Sequence, residues 1–183
     1  GFLSLYLSGE NPLTGQLVLL GMLLWNIIWI VQYCVTLGSL WNIWTRNLTN
    51  LFITPMRLRE YILAHTLSGI VKSLLVLVLS SILAVFAFDF NLLSVGIAPL
   101  ALAFLNFALF AYALGITLLG LIFRSGTRIQ AAAWATVSFF QPLSAAFYPL
   151  EVMPVALQLF AKLFPATYTF EAARYALFNN GEI

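Results

Sequence analysis

Few side chains in this chain could do acid–base, nucleophilic or metal chemistry. The 183 residues include one histidine, His65, one cysteine, Cys34, six acidic and eight basic residues. A zinc site of the HExxH type needs two histidines on one helix face, so that chemistry is excluded. No GxxxxGK[ST] run is present to cradle a nucleotide phosphate, and no serine sits in a GxSxG elbow. Glu171 and Arg174, in the order E-A-A-R, place a carboxylate and a guanidinium one helical turn apart. A carboxylate at membrane depth could activate water for proteolysis. Glu171, however, has no neighbouring histidine or second glutamate to share the proton. Cys34 can form no disulfide within the chain and reads as a small apolar helix residue.

The elements that must position these few groups are apolar. The chain is 62% hydrophobic and 8% charged, against about 25% charged in a soluble domain. That leaves too little polar surface to face water, so the composition predicts an all-α integral membrane protein folded as one bundle. A net charge of +2 gives no reason to expect a nucleic acid partner. What matters is where the charges fall.

A helix needs about 20 apolar residues to cross the hydrocarbon core. The charge-free gaps place spans at roughly 16–40, 60–87, 95–123 and 129–148. NPLTG, residues 11–15, reads as a turn before the first span. Trp41 and Trp44 follow it, where an aromatic belt would sit. Phe88-Asp89-Phe90-Asn91 and RSGTR, residues 124–128, read as polar loops, and Pro142 as a kink in the fourth span. After Tyr148 the pattern changes. Prolines at 149, 154 and 165 bound an apolar stretch too short to span, followed by a second short helix at roughly 167–178. Thr167 or Thr169 is expected to cap it, and Asn179-Asn180-Gly181 to stop it. Short apolar helices of this kind are interfacial or re-entrant.

Four spans put Arg46, Arg57, Arg59, Arg124 and Arg128 on one side and Lys162 and Arg174 on the other. The positive-inside rule makes the first set cytoplasmic and the segment 149–179 external. The largest cytoplasmic loop is then 41–59. Within it Trp41, Trp44, Leu48, Leu51 and Phe52 recur at helical spacing, and Arg46, Asn47, Thr49 and Asn50 occupy the remaining face. Thr54 should end this amphipathic helix, because a residue before proline avoids helical angles, and Pro55 should open the next helix. Arg57 and Arg59 complete an arginine-rich elbow. The loop reads either as an interfacial anchor whose arginines set topology or as a docking surface for a cytoplasmic partner.

Lys72 is the one charge inside a span. It reads either as a pathway or gating contact facing the bundle interior, or as a lysine snorkelling from a helix that continues into the cytoplasm. His65 reads as a packing residue. Asn26, Gln32 and Asn106 are expected to cross-link helices by hydrogen bonds. Trp25, Trp29, Tyr33, Phe104, Phe107 and Phe110 read either as the lining of a cargo path or, as is commoner at helical spacing, as bundle core or lipid-facing residues.

The order of elements resembles the type-2 ABC export permeases. In that family a short coupling helix sits on the ATPase just ahead of a "TP" turn, as Thr54-Pro55 does here. The stretch FYPLEVMPVALQLFAKLFPATYTFEAARYAL, residues 147–177, resembles the family's "P-x-E-x-x-P" turn, short helix, "P-x-T-Y" step and "E-x-x-R". The matching residues are Pro149, Glu151, Pro154, Pro165, Thr167, Tyr168, Glu171 and Arg174. The resemblance implies six membrane helices per permease and a homo- or heterodimer of permeases in a bacterial or archaeal inner membrane. It also implies two ATPase subunits docked at the coupling helices, which carry the ATP and Mg while this chain binds no cofactor. Against that pattern the chain reads as truncated at both ends, with GFLSLYL as the tail of a first span. The coupling loop departs from the family's "E-R-G-T" run, having TRNLTN instead.

A chain without a nucleotide site needs its energy from a partner. The expected function is therefore the membrane subunit of an exporter for a lipid, an amphipathic drug or a lipid-linked saccharide. A non-transporting scaffold subunit and a secondary carrier are the alternatives. Carriers usually hold buried charges or broken helices at the midplane, and here only Lys72 lies near it.

Overall fold

The structure is a computed structural model that describes residues 12–126 and 130–180. Among these residues seven α-helices follow in order: α1 Pro12–Trp44, α2 Leu48–Ile53, α3 Leu58–Phe88, α4 Ile97–Ser125, α5 Gln130–Leu143, α6 Val155–Ala161 and α7 Pro165–Asn180. Short 3-10 turns lie at Leu92–Val95 and Leu150–Val152. The fold is all-α, as the composition demands.

Among the described residues, three helices are long and apolar enough to cross a membrane: Gly15–Trp44, Leu58–Phe88 and Ile97–Ser125. At 29 to 31 residues each is about 44–46 Å long, more than the roughly 30 Å hydrocarbon core. Helix α1 is apolar on every side, and such a helix belongs in the middle of a bundle. Leu24, Ile27, Ile28, Val31, Val35 and Leu40 are fully buried. Helices α3, α4, α5 and α7 all pack on it. Of an 18-residue apolar stretch of α1, 72% is buried, whereas of the corresponding stretch of α3 only 11% is buried. Helix α3 is thus the peripheral helix, with Leu67, Leu79 and Phe86 turned away from the chain's own core.

The helix breaks follow local chemistry. Asp89 adopts the left-handed conformation, φ 51°, and the amides of Asp89 and Phe90 return to the carbonyls of Val85 and Ala84. Asn91 Oδ1 then accepts from the Leu93 amide at 3.0 Å and starts the 3-10 turn. Helix α5 stops at Leu143, five residues short of the expected end at 148, and its described part measures about 21 Å. Pro142 sits in its last turn instead of kinking a longer span. The chain reverses through Ala145, which is also left-handed, φ 53°.

Other boundaries move too. Pro12–Gly15, expected as part of a turn, is already helical. Helix α7 begins at Pro165, so Thr167 lies inside it and does not cap it; Pro165 is suited to a first turn that needs no N–H. The expected tail GFLSLYL, Thr127 and Arg128 of the RSGTR loop and Gly181 of the stop signal lie outside the described residues, whereas Arg124 and Ser125 still belong to α4.

Candidate functional site

The end of the bundle that carries α2 concentrates the arginines. Helix α1 continues through Trp44, whose ring meets that of Trp41 edge-on at 5.3 Å. A turn at Thr45–Asn47 follows, with Arg46 in the left-handed region, φ 55°. The single amphipathic helix expected from Trp41 to Phe52 is therefore split: the tryptophans belong to α1, and α2 is a separate helix of six residues. The cause is local. The Asn47 backbone N–H donates to the Asn42 carbonyl, five residues back, at 2.9 Å, closing a wide turn at the helix end instead of continuing the i to i−4 ladder.

Thr54 is extended, ψ 150°, as the following Pro55 requires. Helix α3 starts at Leu58, so Pro55 lies in the connection and not in the first turn of the helix. Glu60 closes that start, its Oε2 accepting from the Arg57 N–H at 2.9 Å, with its negative charge at the positive end of the helix dipole. Arg46, Thr49, Asn50, Thr54, Pro55, Arg57 and Arg59 are all exposed, and Asn47 is half-buried. The loop thus presents a polar, cationic surface at one end of the molecule.

A chain of side-chain hydrogen bonds runs inward from this surface. Asn50 Nδ2 donates to Asn47 Oδ1 at 3.1 Å, and Asn47 Nδ2 donates to Asn42 Oδ1 at 3.5 Å. Asn42 Nδ2 uses both of its hydrogens, on the Gly38 carbonyl at 3.0 Å and on the Tyr61 hydroxyl at 2.9 Å. Tyr61 in turn donates to Ser39 Oγ at 3.2 Å, and Ser39 donates to the Val35 carbonyl at 2.9 Å. Donors and acceptors alternate along the whole path, the condition for such a network to stiffen a structure. It ties α2 to α1, and α1 to α3.

Close packing reinforces this tie. His65 stacks edge-on against Tyr61 at 4.6 Å and fills the space over Gly38, where an added Cβ would come within 2.6 Å of the imidazole. A Cβ on Gly69 would lie 3.0 Å from Val31 Cα. Helices α1 and α3 approach this closely because both positions lack side chains. His65 is thus a packing residue, and Cys34 is buried beside the same crossing.

Lys72 is exposed, midway along α3 and about 21 Å from its Leu58 end. It does not face the interior of this chain's bundle, which removes that part of the pathway reading. Helix α3 exceeds the hydrocarbon core by about 16 Å, so Lys72 would lie about 5 Å inside it even if all the excess were at the Leu58 end.

At the opposite end the residues of the Pro-bounded segment tie broken helices together. Arg174 is buried, and its guanidinium donates from Nη1 to the carbonyls of Ala145 and Tyr148 and from Nη2 to Ala145, each at 2.9 Å. The planar fork thereby holds the reversal after α5. Burial pulls the Arg174 pKa below its usual value, and the charges of Glu171 and Glu151 oppose that shift. Thr167 donates to the Ala161 carbonyl at 2.8 Å and Tyr168 to that of Lys162 at 2.9 Å, joining α7 to the end of α6. Pro149 precedes the second 3-10 turn, Pro154 precedes α6 and Pro165 opens α7. Glu151 is exposed and Glu171 half-buried.

The family profile of the ABC-2 type transporters matches residues 1–178. The chain belongs to the ABC-2 type transporter family. No curated protein matches it. This permease is a membrane-spanning component of an ABC-type transporter, and its family partners an ABC ATPase subunit.

Sequence reasoning missed three members of the permease's hydrogen-bond chain: Ser39, Asn42 and Tyr61. The available signal was their polarity near the ends of otherwise apolar helices. Their pairing across 19 and 22 residues required the register of the α1–α3 hairpin. The expected cross-links from Asn26 and Asn106 are not made. Asn26 donates to Met22 within α1, and Asn106 Oδ1 has no partner among the described residues. Gln32 bonds Thr36 in its own helix. Among the aromatics, Trp25 and Phe107 both pack on Phe170 in the core, while Tyr33 sits at the surface against Trp134.

Proposed function

We propose that this permease is the membrane subunit of an ATP-driven exporter, moving a lipid, an amphipathic drug or a lipid-linked saccharide outward. Energy comes from separate ATPase subunits, which bind the ATP and Mg, docked on the surface formed by Arg46, Asn47, Thr49, Asn50, Thr54, Pro55, Arg57 and Arg59. The side of the membrane holding five of the Arg and Lys residues is the cytoplasm. The observation that carries this reading is the continuous hydrogen-bond chain from Asn50 to Ser39. A push on α2 cannot be absorbed by a slack loop, because α2, α1 and α3 are bonded to one another. Helix α1 is the centre of the bundle, so its displacement reaches α4, α5 and α7. Transport then requires two global states that the nucleotide biases differently.

The large outward-facing apolar surface of α3 suits lipid or a second permease copy, and Lys72 on that face is the gating candidate if the second copy covers it. The segment around Pro149, Glu151, Pro154, Pro165, Tyr168, Glu171 and Arg174 forms the external, re-entrant end.

The test is charge reversal of Arg46, Arg57 and Arg59 to Glu, followed by co-purification of the ATPase and a transport assay in proteoliposomes. Loss of both supports the docking role. Retention of both refutes it. ATPase binding by the unaltered permease without any vectorial movement would point to the scaffold instead.

A further inference from the structure

The reversal after α5 runs against its own sequence. Ser144, Ala145, Ala146 and Phe147 include no glycine or proline, and alanine is the strongest helix former. Tyr148, ahead of Pro149, is the first residue that its neighbour pushes away from helical angles. Even so, α5 ends at Leu143, and Ala145 takes the left-handed conformation, φ 53°, which a residue with a Cβ disfavours. Local preference and tertiary structure disagree here, and such conflicts cluster at functional sites.

What holds the reversal comes from other helices. Ser144, Ala145 and Ala146 are buried. The Ala146 carbonyl oxygen rests on Gly21 of the central helix α1, where an added Cβ would collide with it. Arg174 of α7 grips the carbonyls of Ala145 and Tyr148 with one planar fork. This guanidinium is buried, yet no carboxylate is in ion-pair contact with it among the described residues. Buried charges are ordinarily paired. Glu171 stands one turn back on the same helix, half-buried, and side chains at i and i+3 are neighbours. Burial works against the charge on Arg174, and Glu171, ahead of Glu151, works for it. A second partner is therefore within reach, so leaving the carbonyls does not strand the charge.

We propose that residues 144–148 form a two-state latch, with Arg174 as its positioning residue. In the latched state, the one described here, Arg174 holds the carbonyls and α5 stops at Leu143. In the released state Arg174 turns to Glu171, Ala145 relaxes to right-handed angles, and α5 grows through Phe147. That adds about 6 Å and lengthens the described part of α5 from about 21 to about 27 Å, closer to the roughly 30 Å hydrocarbon core. The two states stand on this geometry alone; their use in releasing cargo at this end rests on the export reading above.

Spin labels on Ala131→Cys and Val152→Cys, both at exposed positions, with Cys34 replaced by Ala, report the length of this segment in nanodiscs by pulsed electron spin resonance. Two distance populations are expected, separated by about 6 Å. Ala145→Gly removes the left-handed penalty and should raise the ratio of short to long about tenfold. Glu171→Gln takes away the second partner and should shift weight the same way. Arg174→Lys, lacking the fork, should favour the long distance. Adding Ala145→Gly to it should draw the short distance back, which a misfolded chain would not show. A single distance shared by the unaltered protein and Arg174→Lys would overturn the proposal. So would populations indifferent to Ala145→Gly and Glu171→Gln. None of these measurements needs an ATPase subunit, so failure of the latch is told apart from failure of the docking surface.

Discussion

Replacing Tyr61 with Phe removes one oxygen from the centre of the α1–α3 clamp. The hydroxyl accepts from Asn42 and donates to Ser39. The ring, its edge-on contact with His65 and its buried position remain. Asn42 keeps its bond to Gly38, and Ser39 keeps its bond to Val35, so neither partner is left wholly unpaired. Side-chain hydrogen bonds between membrane helices average about 0.6 kcal/mol, and neutral bonds in general about 0.5–1.5. Losing two should therefore cost about 1–3 kcal/mol. The functional consequence is expected to be larger than the thermodynamic one. ATPase subunits should still co-purify, because the α2 surface is untouched, but substrate moved per ATP hydrolysed should fall in proteoliposomes. Combining Tyr61→Phe with Asn42→Ala in a double-mutant cycle should give a coupling of about 0.5–1.5 kcal/mol and non-additive loss of transport. Strict additivity in unfolding, together with an unchanged transport-to-hydrolysis ratio, would refute the clamp as a mechanical link.

Other substitutions probe the same architecture. Arg174→Met leaves the carbonyls of Ala145 and Tyr148 unpaired and should cost about 3–5 kcal/mol in thermal unfolding, with Arg174→Lys recovering only part because it lacks the fork. Gly38→Ala should destabilise by about 1–3 kcal/mol through its clash with His65, and adding His65→Ala should relieve much of that loss; absence of rescue in the melting temperature would place the strain elsewhere. Val31 at the Gly69 crossing gives a parallel case, in which Gly69→Ala pushes on backbone and no side-chain change should rescue it. Lys72→Leu should leave folding within about 0.5 kcal/mol, because the lysine is exposed to its own chain; a change in transport without a change in stability would mark it as a functional cation.

The long helices were legible because nothing interrupts them. Charge-free apolar runs led to 16–40, 60–87 and 95–123, and α1, α3 and α4 occupy those regions with ends shifted by a few residues. The first extends to Trp44 because no breaker precedes the Thr45–Asn47 turn. Helix α5 was harder. Its early end depends on a left-handed Ala145 held by Arg174, 29 residues further along, and no local pattern signals such a bond. The Thr54-Pro55 step was readable from proline sterics, whereas the chain through Asn42 and Tyr61 was not, because which helix faces register is a tertiary property. Lys72 illustrates the same limit: hydropathy locates its depth, but only packing tells which side of α3 it occupies. Asn106 was identified as a hydrogen-bonding residue inside a span, yet no local pattern signals that its Oδ1 is buried without a partner among the described residues.

The most direct test places a single cysteine at Asn50, with Cys34 replaced by Ala, and uses a short thiol-to-amine crosslinker in membranes containing the ATPase subunit. The account predicts a permease–ATPase adduct from position 50 whose yield changes between ATP-bound and nucleotide-free conditions, and none from a control cysteine at Leu159 on α6. An adduct from Leu159 and none from Asn50 would invert the topology and contradict the proposed route of force.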